Sequence, residues 1–169
     1  MLLNKKISFF TIIFTLIFTS CSINYSFTGA SISPDIRTVS VDYFPNHALL
    51  VNPNLSQAIT EALKDKFVNQ TSLELVKEEG DLQFYGEIIT YKTSPAAVQG
   101  DMASQTRLTI AVKVKFVNTK DPSQGYNKTF SGYTDFPADK SLSEIEDEAV
   151  SQILEKMIND IFNAAVSNW

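Results

Sequence analysis

The segment "RLTIAVKVKFV", Arg107 to Val117, restricts the fold more than any other stretch of this chain. Leu108, Ile110, Val112, Val114 and Phe116 share one parity; Arg107, Thr109, Ala111, Lys113 and Lys115 share the other. Strand side chains alternate between two sides, so the pattern calls for a sheet with one buried and one uncovered face. A sheet apolar on one face needs a second layer to bury it.

Other segments extend the sheet. "DLQFYGEIITY" places Leu82, Phe84, Gly86 and Ile88 on one face and Gln83, Tyr85, Glu87, Ile89 and Tyr91 on the other. "TVSVDYF", Thr38 to Phe44, and "KTFSGYTDF", Lys128 to Phe136, read as further strands. "LELV", Leu73 to Val76, has the composition of a short one, turned by "EEGD". The linker "TSPAAVQGDMASQ" (93–105) is longer than most hairpin loops, which fits a mobile or functional segment.

Two amphipathic segments supply the second layer. Leu55, Ala58, Ile59, Ala62, Leu63 and Phe67 recur at helical spacing, ending near Asn69. Its start is marked either by Asn52 capping with Pro53 at the first helical position, or by an Asn54/Gln57 capping box. The second helix opens on a Ser143/Glu146 capping box with Glu144, Asp147 and Glu148 in its first turns. Ile145, Ala149, Ile153, Met157 and Ile161 form one apolar row; Val150, Leu154, Ile158 and Phe162 form the next. The expected architecture is a two-layer α+β sandwich over residues 38–169: a mixed, roughly four-stranded sheet with both helices on one face and a right-handed first crossover.

The N-terminus has a different character. Lys5 and Lys6 precede the apolar run Ile7 to Phe18, followed by Thr19, Ser20 and Cys21. The run is too short to span a bilayer comfortably and fits the apolar core of a secretory signal. Basic, apolar, small, then cysteine is the order of bacterial lipoprotein signals. Residues 1–20 are therefore expected to be removed and Cys21, the sole cysteine, to carry covalent lipid as a membrane anchor. Residues 21–37 read as the lipidated N-terminus and an extended leader. One cysteine excludes an intrachain disulfide, a thiolate metal cluster and a CxxC redox motif.

Nothing in the sequence assembles a catalytic site. The only histidine, His47, stands in a Pro/Asn-bracketed loop without a nucleophile motif, and reads as a solvated loop residue. No His/Cys/carboxylate spacing suits a metal, and the glycines are singletons, so no cofactor is expected beyond the Cys21 lipid. The net charge of −5, with scattered Lys and Arg, leaves no basic stripe for nucleic acid. What remains is the uncovered sheet face. Tyr85, Ile89, Tyr91 and Tyr133 make it more aromatic than solvation requires, and Lys113 and Lys115 share it. Such a surface suits a protein partner or an anionic amphiphile; equally, cross-strand Tyr and Ile pairs stabilise a sheet.

Cys21 behind its signal, "YSFTGASISPDIRTVSVDYFPN" running into "NPNLSQAITEALKDKF", and "DLQFYGEIITYK" together resemble the LptE family of lipopolysaccharide-assembly lipoproteins. The resemblance covers the mature chain and implies two helices on a roughly four-stranded sheet. It also implies an outer-membrane lipoprotein facing the periplasm that binds and plugs an LptD-type β-barrel, assists its assembly and helps deliver lipopolysaccharide to the outer leaflet. Lys92, Arg107, Lys113 and Lys115 are the candidate contacts for lipopolysaccharide phosphates, and Tyr85, Ile89, Tyr91 and Tyr133 for the barrel. Two other readings stay open: a periplasmic lipid- or ligand-binding lipoprotein with a pocket between sheet and helices, and an accessory lipoprotein of another envelope assembly or secretion machine.

Overall fold

The computed structural model describes residues 32–50, 52–99 and 102–166, without the side chains of 97–99 and 102–103. The signal, Cys21 and most of the leader lie outside them. Five strands form one mixed sheet: β1 (Thr38–Val41), β2 (Glu74–Val76), β3 (Leu82–Gln99), β4 (Met102–Asn118) and β5 (Tyr126–Pro137), in the order β2-β1-β3-β4-β5. The helices are α1 (Leu55–Gln70) and α2 (Leu142–Val166). β1 is parallel to both β2 and β3, while β3, β4 and β5 form an antiparallel meander. The α+β expectation holds, and "LELV" supplies the fifth strand.

Both helices lie on the face carrying Leu82, Phe84 and Ile88 of β3 and Leu108, Ile110, Val112, Val114 and Phe116 of β4, all buried. Rings link the layers: Phe67 of α1 sits 5.0 Å from both Phe84 and Phe162, and Phe84 lies 4.9 Å from Phe116. The two apolar rows of α2 are buried from Ala149 to Phe162. Gly132 of β5 lies beneath α2, where an added Cβ would come 2.8 Å from Ile153 Cγ2.

The helix starts differ from expectation. Asn54 occupies the N-cap of α1 without a side-chain cap bond, so neither proposed cap forms as such. Asn52 accepts the Asn54 N–H at 2.8 Å instead and sends its amide elsewhere. At α2 the capping box is one frame earlier than Ser143/Glu146: Glu144 accepts from both the N–H and the hydroxyl of Ser141, each at 2.7 Å. Two S-x-x-E frames overlap in "SLSEIE", and the earlier one caps while Glu146 is released for another role.

The largest departure is the 93–105 linker. It is no open loop: β3 continues to Gln99 and β4 begins at Met102, so the two strands run out as a long hairpin arm. Tyr91 is the last buried core-side residue of β3 among the side chains described; Lys92, Thr93 and Pro95 are exposed. Bulges near Pro95–Val98 punctuate the arm, and Pro95 is placed where an edge strand tolerates a missing N–H.

Asp81, at the foot of β3, ties down the start of β1. Its Oδ2 accepts from the backbone N–H groups of Arg37 and Thr38 and from the Thr38 hydroxyl, at 2.9 to 3.1 Å, and Lys120 Nζ lies 2.9 Å from Oδ1. The Arg37 N–H first, then Lys120, hold this carboxyl well below its ordinary value. The unfolded chain takes up this proton near pH 4, the folded chain only well below. In that window the unfolded state binds more protons, so stability falls as pH drops. Asp81→Asn is expected to cost about 2 kcal/mol at neutral pH and to flatten the acid limb of a plot of Tm against pH below about 4.

Candidate interaction face

The second face of the sheet carries Gln83, Tyr85, Glu87 and Ile89 of β3, the odd-numbered residues from Arg107 to Lys115 of β4, and Tyr133 and Asp135 of β5. Neither helix packs on it. At β1 it is covered by the 77–81 connection, which leads from β2 to β3 across β1: Gly80 donates its N–H to Ser40 Oγ, and Ser40 is 2% exposed. Tyr85, Ile89 and Tyr133 stay at least partly exposed there, at 37%, 39% and 61%. Ala111, between them, is buried.

Tyr91 is not on this face. Ile88 pairs with Val112 but Thr90 pairs with Ala111, so Ile89 is an extra residue, a β-bulge. The bulge reverses parity, and Tyr91 turns to the core side at 4% exposure. Its hydroxyl donates to Glu146 Oε1, which also accepts from Asn52 Nδ2 at 2.9 Å. Burial first, then the bond to the Glu146 carboxylate, push the phenol above its ordinary value. Three segments meet in this clamp: the base of the arm, the loop into α1 and the first turns of α2. Tyr91→Phe leaves the carboxylate one donor short and is expected to cost about 1–2 kcal/mol, with faster amide exchange in the arm strands as the second readout. The sequence signal for the bulge is the doubled Ile88-Ile89 inside an otherwise alternating strand.

The candidate cations do share the face. Arg107 is held by Asp135 in a two-pronged pair, Nε to Oδ1 at 2.7 Å and Nη2 to Oδ2 at 2.8 Å, with its guanidinium 3.9 Å from the Tyr133 ring centroid. That pairing raises the Arg107 value and lowers that of Asp135. Lys113 lies 3.7 Å from Glu87, and Lys115 sits over the Tyr85 ring at 5.8 Å. Lys92, opposite Thr109, is exposed at the base of the arm. The face is thus a mosaic of aromatic rings and matched charges, with Lys92 at the arm end.

His47 is exposed, and its N–H donates to the Ile88 carbonyl at 2.9 Å; it serves as a backbone anchor beside the bulge. Among the described residues no cluster of His, Cys, Asp or Glu is arranged to hold a metal, and no helix is long and apolar enough to cross a membrane. A groove of about 540 Å³ runs between α1 and α2, floored by Ala58, Ala62 and Leu154, and no strand contributes to its lining. Over β3 and β4 the space between sheet and helices is filled by the ring-linked core; between β5 and α2 a smaller cleft of about 210 Å³ opens.

A family model described as LptE, lipopolysaccharide-assembly, matches residues 36–165. No curated protein matches the chain in sequence. Among solved structures, the chain is similar to a hypothetical protein from Chlamydia trachomatis at 11% identity and a TM-score of 0.55, over 78% of this chain and 96% of that one. A minor lipoprotein from Acinetobacter baumannii aligns at 11% identity and 0.51, over 79% and 95%. A protein from Xanthomonas campestris aligns at 11% and 0.52, over 78% and 83%. At this identity the likeness to the solved structures is one of fold.

Proposed function

The chain belongs to the LptE lipopolysaccharide-assembly family, and from that premise we propose that it is an outer-membrane lipoprotein that docks into the lumen of an LptD-type β-barrel and supports delivery of lipopolysaccharide. It acts by binding, without turnover. The observation that carries this reading is the second sheet face: a broad surface with exposed Tyr85, Ile89 and Tyr133 set among paired charges, extended by the hairpin arm. Aromatic residues with arginine and satisfied polar groups are the composition of a protein-binding surface. Lys92, beside the Arg107–Tyr133 stack, is the cation best placed for a lipopolysaccharide phosphate.

The core over β3 and β4 is ring-packed, and the cleft between β5 and α2, at about 210 Å³, is smaller than the roughly 300 Å³ at which ligand pockets begin; both favour this reading over a periplasmic carrier. The groove between the helices sets Asp147 and Glu155 against a single lysine, Lys66, and is poorly matched to a phosphorylated lipid.

Purification of the tagged chain from detergent-solubilised envelopes is the test. An LptD-type barrel should co-purify in stoichiometric amount. Tyr133→Ala combined with Tyr85→Ala should reduce its recovery at least about tenfold, since aromatic anchors of this kind contribute about 1–2 kcal/mol or more each. Recovery of the wild-type chain without any barrel would refute the docking reading.

A further inference from the structure

We infer that the outer edge of β5 accepts an extended segment of a partner polypeptide, which adds to the sheet as a sixth strand and drops a side chain into a cleft between β5 and α2. Apart from the first residues of β4, 102–104, which lie beyond the end of β5, three stretches of strand have no strand beside them among the described residues: the outer side of β2, β3 beyond Ile88, and the outer side of β5. The first is three residues long. The second carries bulges, Lys92 and Pro95, the devices by which proteins protect an edge. β5 is different: it runs twelve residues in unbroken register with β4, with proline only at its last position and its one lysine, Lys128, near its start, which leaves the stretch from Thr129 to Phe136 free of both.

The direction of its hydrogen bonds follows from the ladder. Ile88 exchanges its N–H and carbonyl with the Pro45–His47 loop, so core-side residues of β3 bond away from β4. Core-side residues of β4 therefore bond toward β5, and the even-numbered residues of β5 bond back to β4. The Ala138 N–H, which donates to the Ser104 carbonyl, keeps the same phase. Asn127, Thr129, Ser131, Tyr133 and Asp135 are left directing their main-chain donors and acceptors outward.

Beside this edge lies a cleft of about 210 Å³, where buried Phe136 and Ala149 and half-buried Ile145 meet a polar border that includes Thr134, Asp135, Lys140 and Glu148. A strand laid on β5 turns alternate side chains toward α2, and the cleft has room for one aliphatic or aromatic group. Main-chain bonds along an edge with a pocket for alternate side chains is the arrangement by which sheets recruit extended peptides. A second copy of this chain paired antiparallel does not fit. α2 lies directly over β5 at Gly132, so pairing two β5 edges would set two α2 helices about one strand spacing apart, about 5 Å, where helices need about 8–10 Å. A single extended segment brings no such helix. Only the source of the segment, the barrel, rests on the function proposed above.

The edge is tested by Ser131→Pro, which removes an outward N–H and no bond to β4, and by Thr134→Phe, which fills the cleft. Both should fold, with Tm within about 5 °C of the parent. The full chain in detergent is used to select from a random dodecapeptide library, and the selected peptides are measured against both variants. The expected result is peptides with an apolar residue at a fixed position whose affinity falls at least tenfold with either variant. Absence of selected peptides, or equal binding to folded Ser131→Pro, overturns the inference. So does a wild-type dimer in sedimentation that Ser131→Pro dissolves, because it assigns the edge to a second copy. Barrel recovery with the same two variants gives the source: a tenfold loss assigns the segment to the barrel, and unchanged recovery with peptide binding lost overturns that assignment while leaving the docking reading intact.

Discussion

Gly80→Val is expected to destabilise the domain by about 3 kcal/mol or more, enough to leave a marginal fold largely unfolded at 37 °C. The reason lies in the 77–81 connection. β2 and β3 are both parallel to β1 and flank it, so the chain must cross β1 between them. It does so at Gly80. A Cβ there would come 2.6 Å from the Ser40 nitrogen, 2.8 Å from the Val39 carbonyl carbon and 2.9 Å from the Leu82 carbonyl oxygen. All three are backbone atoms of the central strands, so no rotamer change relieves the overlap. The Gly80 N–H to Ser40 Oγ bond would be lost with it, leaving a hydroxyl buried at 2% exposure. Denaturant unfolding measures the loss; a melting temperature within about 2 °C of the parent would show that the crossing is looser than its distances imply. Gly86 is the contrast in kind: a Cβ there meets the ring of Phe44, a side chain rather than backbone, although that ring is itself fully buried.

Much of this architecture is legible in the residues because the signals are local. Period two in 107–117, period 3.6 in 142–166 and a buried row shared between them leave few alternatives to helices packed on one sheet face. The bulge at Ile89 is less legible, and its consequence is large: one extra residue moves Tyr91 from the open face to the core. The doubled isoleucine hints at it, but the Glu146 and Asn52 partners that make the core position favourable are 55 and 39 positions away in the chain. The arm escapes notice for a similar reason. Pro95, Gly100, Asp101 and the small residues have turn and loop composition, yet β3 and β4 stay paired past Pro95 as far as Gln99 and Met102. The polar pairing of the open face is also non-local: that Asp135 would neutralise Arg107 depends on the β4–β5 register and on nothing within either segment.

Cys21→Ala is expected to release the protein from the membrane by several orders of magnitude in partition. On the proposed function, two attachments hold the chain: acyl groups on Cys21 and docking in the barrel. They differ in capacity. Each buried methylene contributes about 0.8 kcal/mol, and two or more acyl chains make attachment stable where one is marginal. Lipid sites are limited only by bilayer area, whereas barrel sites are limited by the number of barrels. Among the described residues no helix can cross a membrane, so the folded domain adds no third attachment of that kind. The discriminating measurement is therefore made with the chain in excess over the barrel. Wild-type protein should remain wholly in the membrane fraction, while the excess of Cys21→Ala appears in the soluble fraction and a remainder equal to the barrel content stays behind. The chain length between Cys21 and Ile32 limits their separation to at most about 40 Å, so an acylated Cys21 keeps the domain near the membrane surface in which a barrel sits. That confinement raises the effective concentration of the pair, so the variant should also occupy fewer barrels at low expression. Excess Cys21→Ala that still sediments with membranes would show that the attachment does not depend on this sulfur.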